Sequence, residues 1–294
     1  MAYTTGRYHL TNLLQDAYRK LGQFEPRLVT GSPTATSCII GALAGLKSIK
    51  EGTLFCIETT DNEAPEGKYE RITAYDKATG TFTVDTFTQS FTADDKVGIV
   101  NDLYPIYTMV ELANGAMKRL GDIVIVDTTT LDTASNKTEY ALEIAAKRNL
   151  LRVDYQTNTA DANDNRWYTL FNVETIPANP GTAGLMILEQ LSADRDLRYW
   201  YLDVHPRLNT YDDFIDEAIN PELASTALAV VALEWQQARI KTDWVKQDLN
   251  YWRTEFDIAK QRWPINRHPR KARFITMPRD GETTYTGVPG LVRL

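Results

Sequence analysis

The chain has 294 residues, 43% of them hydrophobic and 24% charged, with a net charge of −7, a balance that excludes a disordered or membranous protein and suits about two soluble domains. Its longest apolar run, Leu223 to Leu233, is broken by Ser225 and Thr226 and falls short of the ~20 residues of a bilayer span, so no membrane partner is expected. Met1 to Arg7 contains no basic stretch leading into an apolar one, which predicts no secretory signal and synthesis in the cytoplasm.

Leu10, Leu13, Leu14, Ala17, Tyr18 and Leu21 recur at helical spacing and predict a helix over about Arg7 to Leu21, with Gly22 in the place of a C-terminal cap. From about Gly31 to Val100 the texture changes to short β-like runs, the clearest being Thr53 to Thr59, Lys68 to Tyr75 and Thr81 to Phe87, with Lys96 to Val100 after them. Asp76-Lys77-Ala78-Thr79-Gly80 supplies a hairpin turn. Cys38 and Cys56 stand in strand-like apolar contexts without metal spacing, so they read as small hydrophobes of a sheet. Pro105 opens a second helix, whose buried face is marked by Val110, Ala113, Met117 and Leu120 up to Gly121.

Strand character resumes at Asp122 to Asp127 and continues through Leu150 to Tyr155, Trp167 to Glu174, Leu185 to Leu191 and Leu197 to Val204. The polar loop Thr157 to Arg166 reads as a hairpin tip. Within it, Asp161-Ala162-Asn163-Asp164-Asn165 imitates the start of a calcium loop, but Arg166 stands where the glycine is required and Asn172 where the bidentate glutamate is, so no metal is expected there. After Pro206 helical patterning predicts Tyr211 to Ile219, a break at Asn220-Pro221, then Glu222 to about Ile240 and Lys241 to Trp263. Asp212, Asp213, Asp216 and Glu217 sit in and just after the first turn of the first of these, where they suit the helix dipole.

The last helix carries a seam, Val245, Leu249, Trp252, Phe256, Ala259 and Trp263, with spacings alternating between four and three, the pattern of a helix packed along another helix. Trp252 and Trp263 read as knobs between paired helices or, alternatively, as anchors against a neighbouring subunit. Base stacking suits them less, because they are helix-spaced and not interleaved with arginine on a sheet. Past Pro264 the pattern stops. Residues 262–294 hold seven bases and two acids against 25 and 37 elsewhere, so the tail carries +5 and the body −12.

The order of elements predicts an α+β fold: a helical core with two inserted antiparallel β modules, small barrels or sandwiches, and an extended basic tail. The divisions are residues 1–30, first core helix; 31–101, first β module; 102–121, second core helix; 122–209, second β module; 210–263, C-terminal core helices; and 264–294, tail. His9, His205 and His268 lie far apart, with no ligand at metal spacing, and the chain has no phosphate loop, nucleophile elbow or zinc-protease motif. No enzymatic activity, cofactor or metal is therefore expected.

Leu13-Leu14-Gln15-Asp16-Ala17-Tyr18-Arg19-Lys20-Leu21-Gly22, the run Ala64 to Asp76 and Tyr199-Trp200-Tyr201-Leu202-Asp203-Val204-His205-Pro206 resemble the head-to-tail adaptor (connector, head-completion) proteins of tailed bacteriophages. The resemblance implies a virion protein made in the host bacterial cytoplasm. It also implies a homo-oligomeric ring, commonly dodecameric, beneath the portal protein and next to other neck or tail-completion proteins, with double-stranded DNA passing through its channel without sequence-specific binding. By position and character it assigns portal docking to Trp263, Arg267, His268, Arg270, Lys271, Arg273, Phe274 and Ile275, and helix packing or subunit contact to Val245, Leu249, Trp252 and Phe256. The alternatives are a nucleic-acid-binding protein that uses the basic tail and, third, an enzyme or carbohydrate-binding protein built on the β modules, with Trp167 and Trp200 as surface aromatics.

Overall fold

A computed structural model describes residues 7–45, 51–61, 64–132, 138–142, 146, 149–156, 166–175, 185–187, 191 and 195–265. The chain divides into two compact units, one of residues 7–122 and 204–265, the other lying within residues 123–203.

In the first unit α1 (Leu10–Lys20) is followed by β1 (Phe24–Leu28), β2 (Ser37–Ile39), β3 (Gly52–Glu58), β4 (Tyr69–Asp76), β5 (Thr81–Val84) and β6 (Lys96–Asn101). These strands form one curled antiparallel sheet in the order β1-β6-β3-β4-β5-β2. The β4–β5 turn ends at Gly80, whose φ of 71° is open to glycine at little cost, and Gly22 closes α1 at φ 66° for the same reason. Apolar residues of the sheet and its loops, among them Ile40, Leu54, Ile72, Phe82, Phe87 and Val97, bury against one another together with Cys38 and Cys56.

Four α-helices are described, the others being α2 (Ile106–Leu120), α3 (Pro221–Arg239) and α4 (Asp243–Arg262). α3 is packed by α1, α2 and α4. Its run of small buried residues, including Ala224, Ala227, Ala229 and Ala232, lets those helices approach closely. The buried hydroxyls of Ser225 and Thr226 are satisfied on carbonyls one turn back, at 2.8 Å and 2.7 Å. Glu234 joins three helices, accepting from Arg119 at 2.7 Å and Arg253 at 2.8 Å. Although burial alone would push its carboxyl up, these donors hold it below its usual range.

The second unit contains β7 (Ile123–Asp132), β8 (Glu139–Tyr140), β9 (Leu150–Gln156), β10 (Trp167–Leu170), β11 (Val173–Thr175), β12 (Leu185–Ile187) and β13 (Asp196–Asp203). They form a four-stranded sheet, β10-β9-β13-β7, and a three-stranded one, β11-β12-β8. The chain enters this unit on β7 and leaves it on the neighbouring antiparallel β13, with Ile123 opposite Asp203.

The expected helical core with two inserted β modules is not the fold that forms. The molecule is mostly β, a six-stranded curled sheet and a second, four-stranded sheet accompanied by four helices. The physical reason is visible around Phe55 of β3. Tyr18 of α1 and Phe24 of β1 meet it edge-on at 5.8 Å each, and Tyr69 of β4 lies at 5.4 Å. The helix and sheet thus share buried aromatic surface instead of segregating. A second correction concerns Tyr211 to Ile219, which is turn and not helix. The Asp213 carboxylate accepts the backbone N–H groups of Asn209 and Thr210 at 2.5 Å and 2.8 Å, and that of Asp216 accepts from Ala218 at 2.8 Å. These local bonds compete with helical ones. Asp213 and Asp216 therefore serve turns instead of a helix start.

Candidate functional site

The docking tail assigned from the sequence begins at the C-terminal end of α4. Val245, Leu249 and Phe256 of the seam are 0–2% exposed, on a helix packed along α3. Trp252 is half-buried, with the Lys20 ammonium 5.3 Å from its ring centroid. Val245, Leu249 and Phe256 thus pack within the fold, and Trp252 is left partly open beside them. Trp263 is 40% exposed. Its Nε1–H donates to Glu222 at 2.8 Å, and Arg262 donates to the other oxygen of the same carboxylate at 3.2 Å.

Glu222 stands in the first turn of α3, where Asn220 caps the backbone with a 2.9 Å bond to the Glu222 N–H and Pro221 follows the cap. A carboxylate at this position is favoured by the exposed N–H groups of the helix start. The start of α3 and the end of α4 are thus fastened together. Beside this junction is a cleft of about 420 Å³, bounded by Arg7, Tyr8, Ile215 to Pro221, Trp263 and Pro264. Arg7 lies 4.6 Å from the Phe214 ring centroid, and the Tyr8 hydroxyl donates to Asp16 at 2.8 Å. Burial and the Asp16 charge push the Tyr8 phenol far above its ordinary value, so it stays a donor. Arg267, His268, Arg270, Lys271, Arg273, Phe274 and Ile275 lie outside the described residues.

The sequence reading missed a second line on α4. Trp244, Tyr251 and Ile258, each seven residues from the next, are 49%, 58% and 42% exposed. They run beside the buried seam, and the first two border a cleft of about 350 Å³ with Trp252, Asp248 and Lys20. The signal was present as a third apolar position in each heptad, adjacent to the seam. A helix with one line of large apolar side chains left exposed has a surface suited to contact with another protein.

Groups suited to covalent or metal chemistry are occupied in other ways. His9 Nδ1 is 2.9 Å from the Asp212 carbonyl. His205, 6% exposed, accepts the Asp216 N–H on Nε2 at 3.0 Å, which leaves the proton on Nδ1, 2.7 Å from the Pro206 carbonyl. His268 is outside the described residues, as are Asp161 to Asn165. No cluster of three or more metal-ligating side chains occurs among the described residues, and no described helix is long and apolar enough to cross a membrane.

Burial, with the Asp95 charge added, pushes the Cys38 thiol up to about 12, and burial also raises Cys56. Both thiols should resist a disulfide reagent at pH 8 and react fully in denaturant. The folded pKa lies above the unfolded one, so this stabilisation is complete below about pH 9 and is lost as pH rises towards about 12. Unfolding free energy should therefore fall by about 1.4 kcal/mol per pH unit per thiol between about pH 9 and pH 12. A urea midpoint that stays flat between pH 9 and 10.5 would contradict this.

Comparison with known protein families finds no matching family, and comparison with curated proteins finds no significant match.

Proposed function

We propose that the chain is a structural protein of a tailed bacteriophage, an adaptor at the head-to-tail junction that forms a homo-oligomeric ring beneath the portal, docks on it through residues 264–294 and continues the DNA channel. The observation that carries this reading is the fixed root of the tail. Glu222 binds both Arg262 and Trp263, so a segment with no acid from Pro264 to Arg279 departs from a defined place on a packed helix. A chain attached in this way can cover much surface on a partner, with its bases paired to acidic groups and Phe274 and Ile275 in apolar pockets.

Two further features support the reading. The exposed line Trp244, Tyr251 and Ile258 offers one side of a contact between copies, as the heterologous interfaces of a closed ring require. The net charge of −7 suits a conduit along which DNA slides without adhering. The sequence resemblance supplies the identity of the partner.

Electron microscopy of particles carrying a label on this chain tests the proposal directly. A ring of label at the junction of head and tail is the expected result. A soluble monomer that binds duplex DNA, with affinity falling steeply as salt rises, would replace it with the nucleic-acid-binding alternative.

A further inference from the structure

The arrangement that α4 lacks, tryptophan interleaved with arginine on a sheet, occurs in the second unit. Trp167 of β10, Arg152 and Asp154 of β9, and Arg198 and Trp200 of β13 share one face of the four-stranded sheet. Arg198 stands opposite Asp154, Trp200 opposite Arg152 and Thr169 opposite Asp154. Their neighbours in sequence, Val153, Leu170, Leu197, Tyr199 and Tyr201, form the core of the unit on the other face.

Asp154 organises the array. Its side chain is 2% exposed. One oxygen accepts from Arg198 Nε at 2.8 Å, Trp200 Nε1 at 2.9 Å and Arg152 Nη2 at 3.0 Å, and the other accepts from Thr169 Oγ1 at 2.9 Å. A buried carboxylate satisfied in this way fixes the side chains that donate to it. The Arg198 guanidinium then lies 4.3 Å from the Trp167 ring centroid and 5.5 Å from that of Trp200, and Arg152 lies 4.5 Å from Trp200.

Arg198 uses only its Nε. Its two terminal nitrogens meet no acceptor among the described residues, and its side chain is 25% exposed. A guanidinium held on one edge and open on the other presents parallel N–H groups to a carboxylate. The adjacent indole offers a flat apolar surface of pyranose size. A uronate sugar carries its carboxylate directly on such a ring, whereas a carboxylate on a flexible protein side chain would gain little from the indole.

Nucleic acid fits less well. Residues 123–203 hold twelve acids and seven bases, and Asp196 stands two residues before Arg198 on the same strand, a field that repels a dense polyanion but tolerates one isolated charge.

We propose that Trp167, Arg198 and Trp200 form a binding site for a carboxylate-bearing saccharide, with the carboxylate on the outer edge of Arg198 and the sugar ring against Trp167. This site is independent of the tail and of the neck reading. The test titrates the full chain, by tryptophan fluorescence and calorimetry, with an oligogalacturonate, a glucuronate-bearing oligosaccharide, a neutral galactose oligosaccharide and oligo-dT. Saturable binding of at least one uronate and none of the neutral sugar is expected. Arg198→Lys, which keeps the charge and loses the two-pronged edge, and Trp167→Ala should each weaken it by about tenfold or more. Circular dichroism reports whether each variant folds. Should Arg198→Lys fail to fold, Trp167→Ala decides alone, since its only ring partner among the described residues is Arg198. The proposal is overturned if neither uronate binds, if neutral and acidic sugars bind alike, if oligo-dT binds more tightly, or if Trp167→Ala binds as the parent chain does.

Discussion

Replacing Asn114 with alanine should lower the unfolding free energy by about 3–5 kcal/mol, one of the largest single-residue effects expected in the first unit. Asn114 lies on α2, and its side-chain amide reads the backbone of a segment distant in sequence. Nδ2 donates to the Leu208 carbonyl at 2.8 Å and to the Val110 carbonyl at 3.0 Å, while Oδ1 accepts the Leu208 N–H at 2.8 Å. Leu208 is 1% exposed, so truncation leaves a buried donor and a buried acceptor unpaired, each costing about 1–3 kcal/mol. This clamp holds the chain shortly after it returns from the second unit. A nearby contact provides the control. Arg207 and Glu111 pair at 2.7 Å across the same two segments, but their side chains are 66% and 64% exposed. Glu111→Ala should therefore change stability by less than about 1 kcal/mol. Urea unfolding of both variants separates the contributions. A loss below about 1 kcal/mol for Asn114→Ala would mean that other contacts hold Leu208 in place.

Local periodicity revealed elements well and their packing poorly. The spacing of Leu10, Leu13, Leu14 and Ala17 marks α1, and Val110, Ala113 and Met117 mark α2, because one face of each helix is buried and 3.6 residues per turn leaves its imprint. The strands around Phe55, Ile72 and Phe82 are equally plain. β1 was not legible. Its five residues include Pro26 and none is fully buried, and among the described strands it is an edge strand paired only with β6, some seventy residues further on. Without β1, α1 looks like part of a separate helical body. With it, the ring contacts of Phe55 bind α1 to the sheet.

The aspartates after Pro206 misled for a related reason. Their number suits a helix start, yet the same side chains bond to the backbone two to four residues away and make turns. The array on β9 and β13 was half visible. Arg152-x-Asp154 and Arg198-x-Trp200 each place two side chains on one strand face, but only the pairing of Arg198 with Asp154 brings the halves together. Register between strands more than forty residues apart is set by the whole sheet and leaves no local mark.

Deleting residues 264–294 should abolish the joining of heads to tails while leaving the melting temperature of the remaining chain within a few degrees of the parent. Stability should be retained because the contacts that seat α4 among the described residues precede the cut. Val245, Leu249, Phe256 and Ala259 keep their burial, and Glu222 keeps both Arg262 and Trp263 as donors. On the proposed adaptor role, docking should be lost because the deleted segment holds six bases and two acids, and its removal takes the net charge from −7 to −11. Two finer variants separate the forces. Changing Arg267, Arg270, Lys271 and Arg273 together to glutamine removes the charge-assisted contacts and should cost at least about a hundredfold in assembled particles, since each such contact contributes about 1.5–3 kcal/mol. If Phe274 and Ile275 fill apolar pockets of the partner as proposed, changing both to alanine forfeits about 1.5–3 kcal/mol each and should weaken docking without altering its dependence on salt. The measurement is in vitro complementation of tail-less particles, read as infectious titre at two ionic strengths. A truncated chain that restores titre like the full-length protein would remove the tail from the docking surface and leave the exposed line Trp244, Tyr251 and Ile258 as the face to test next.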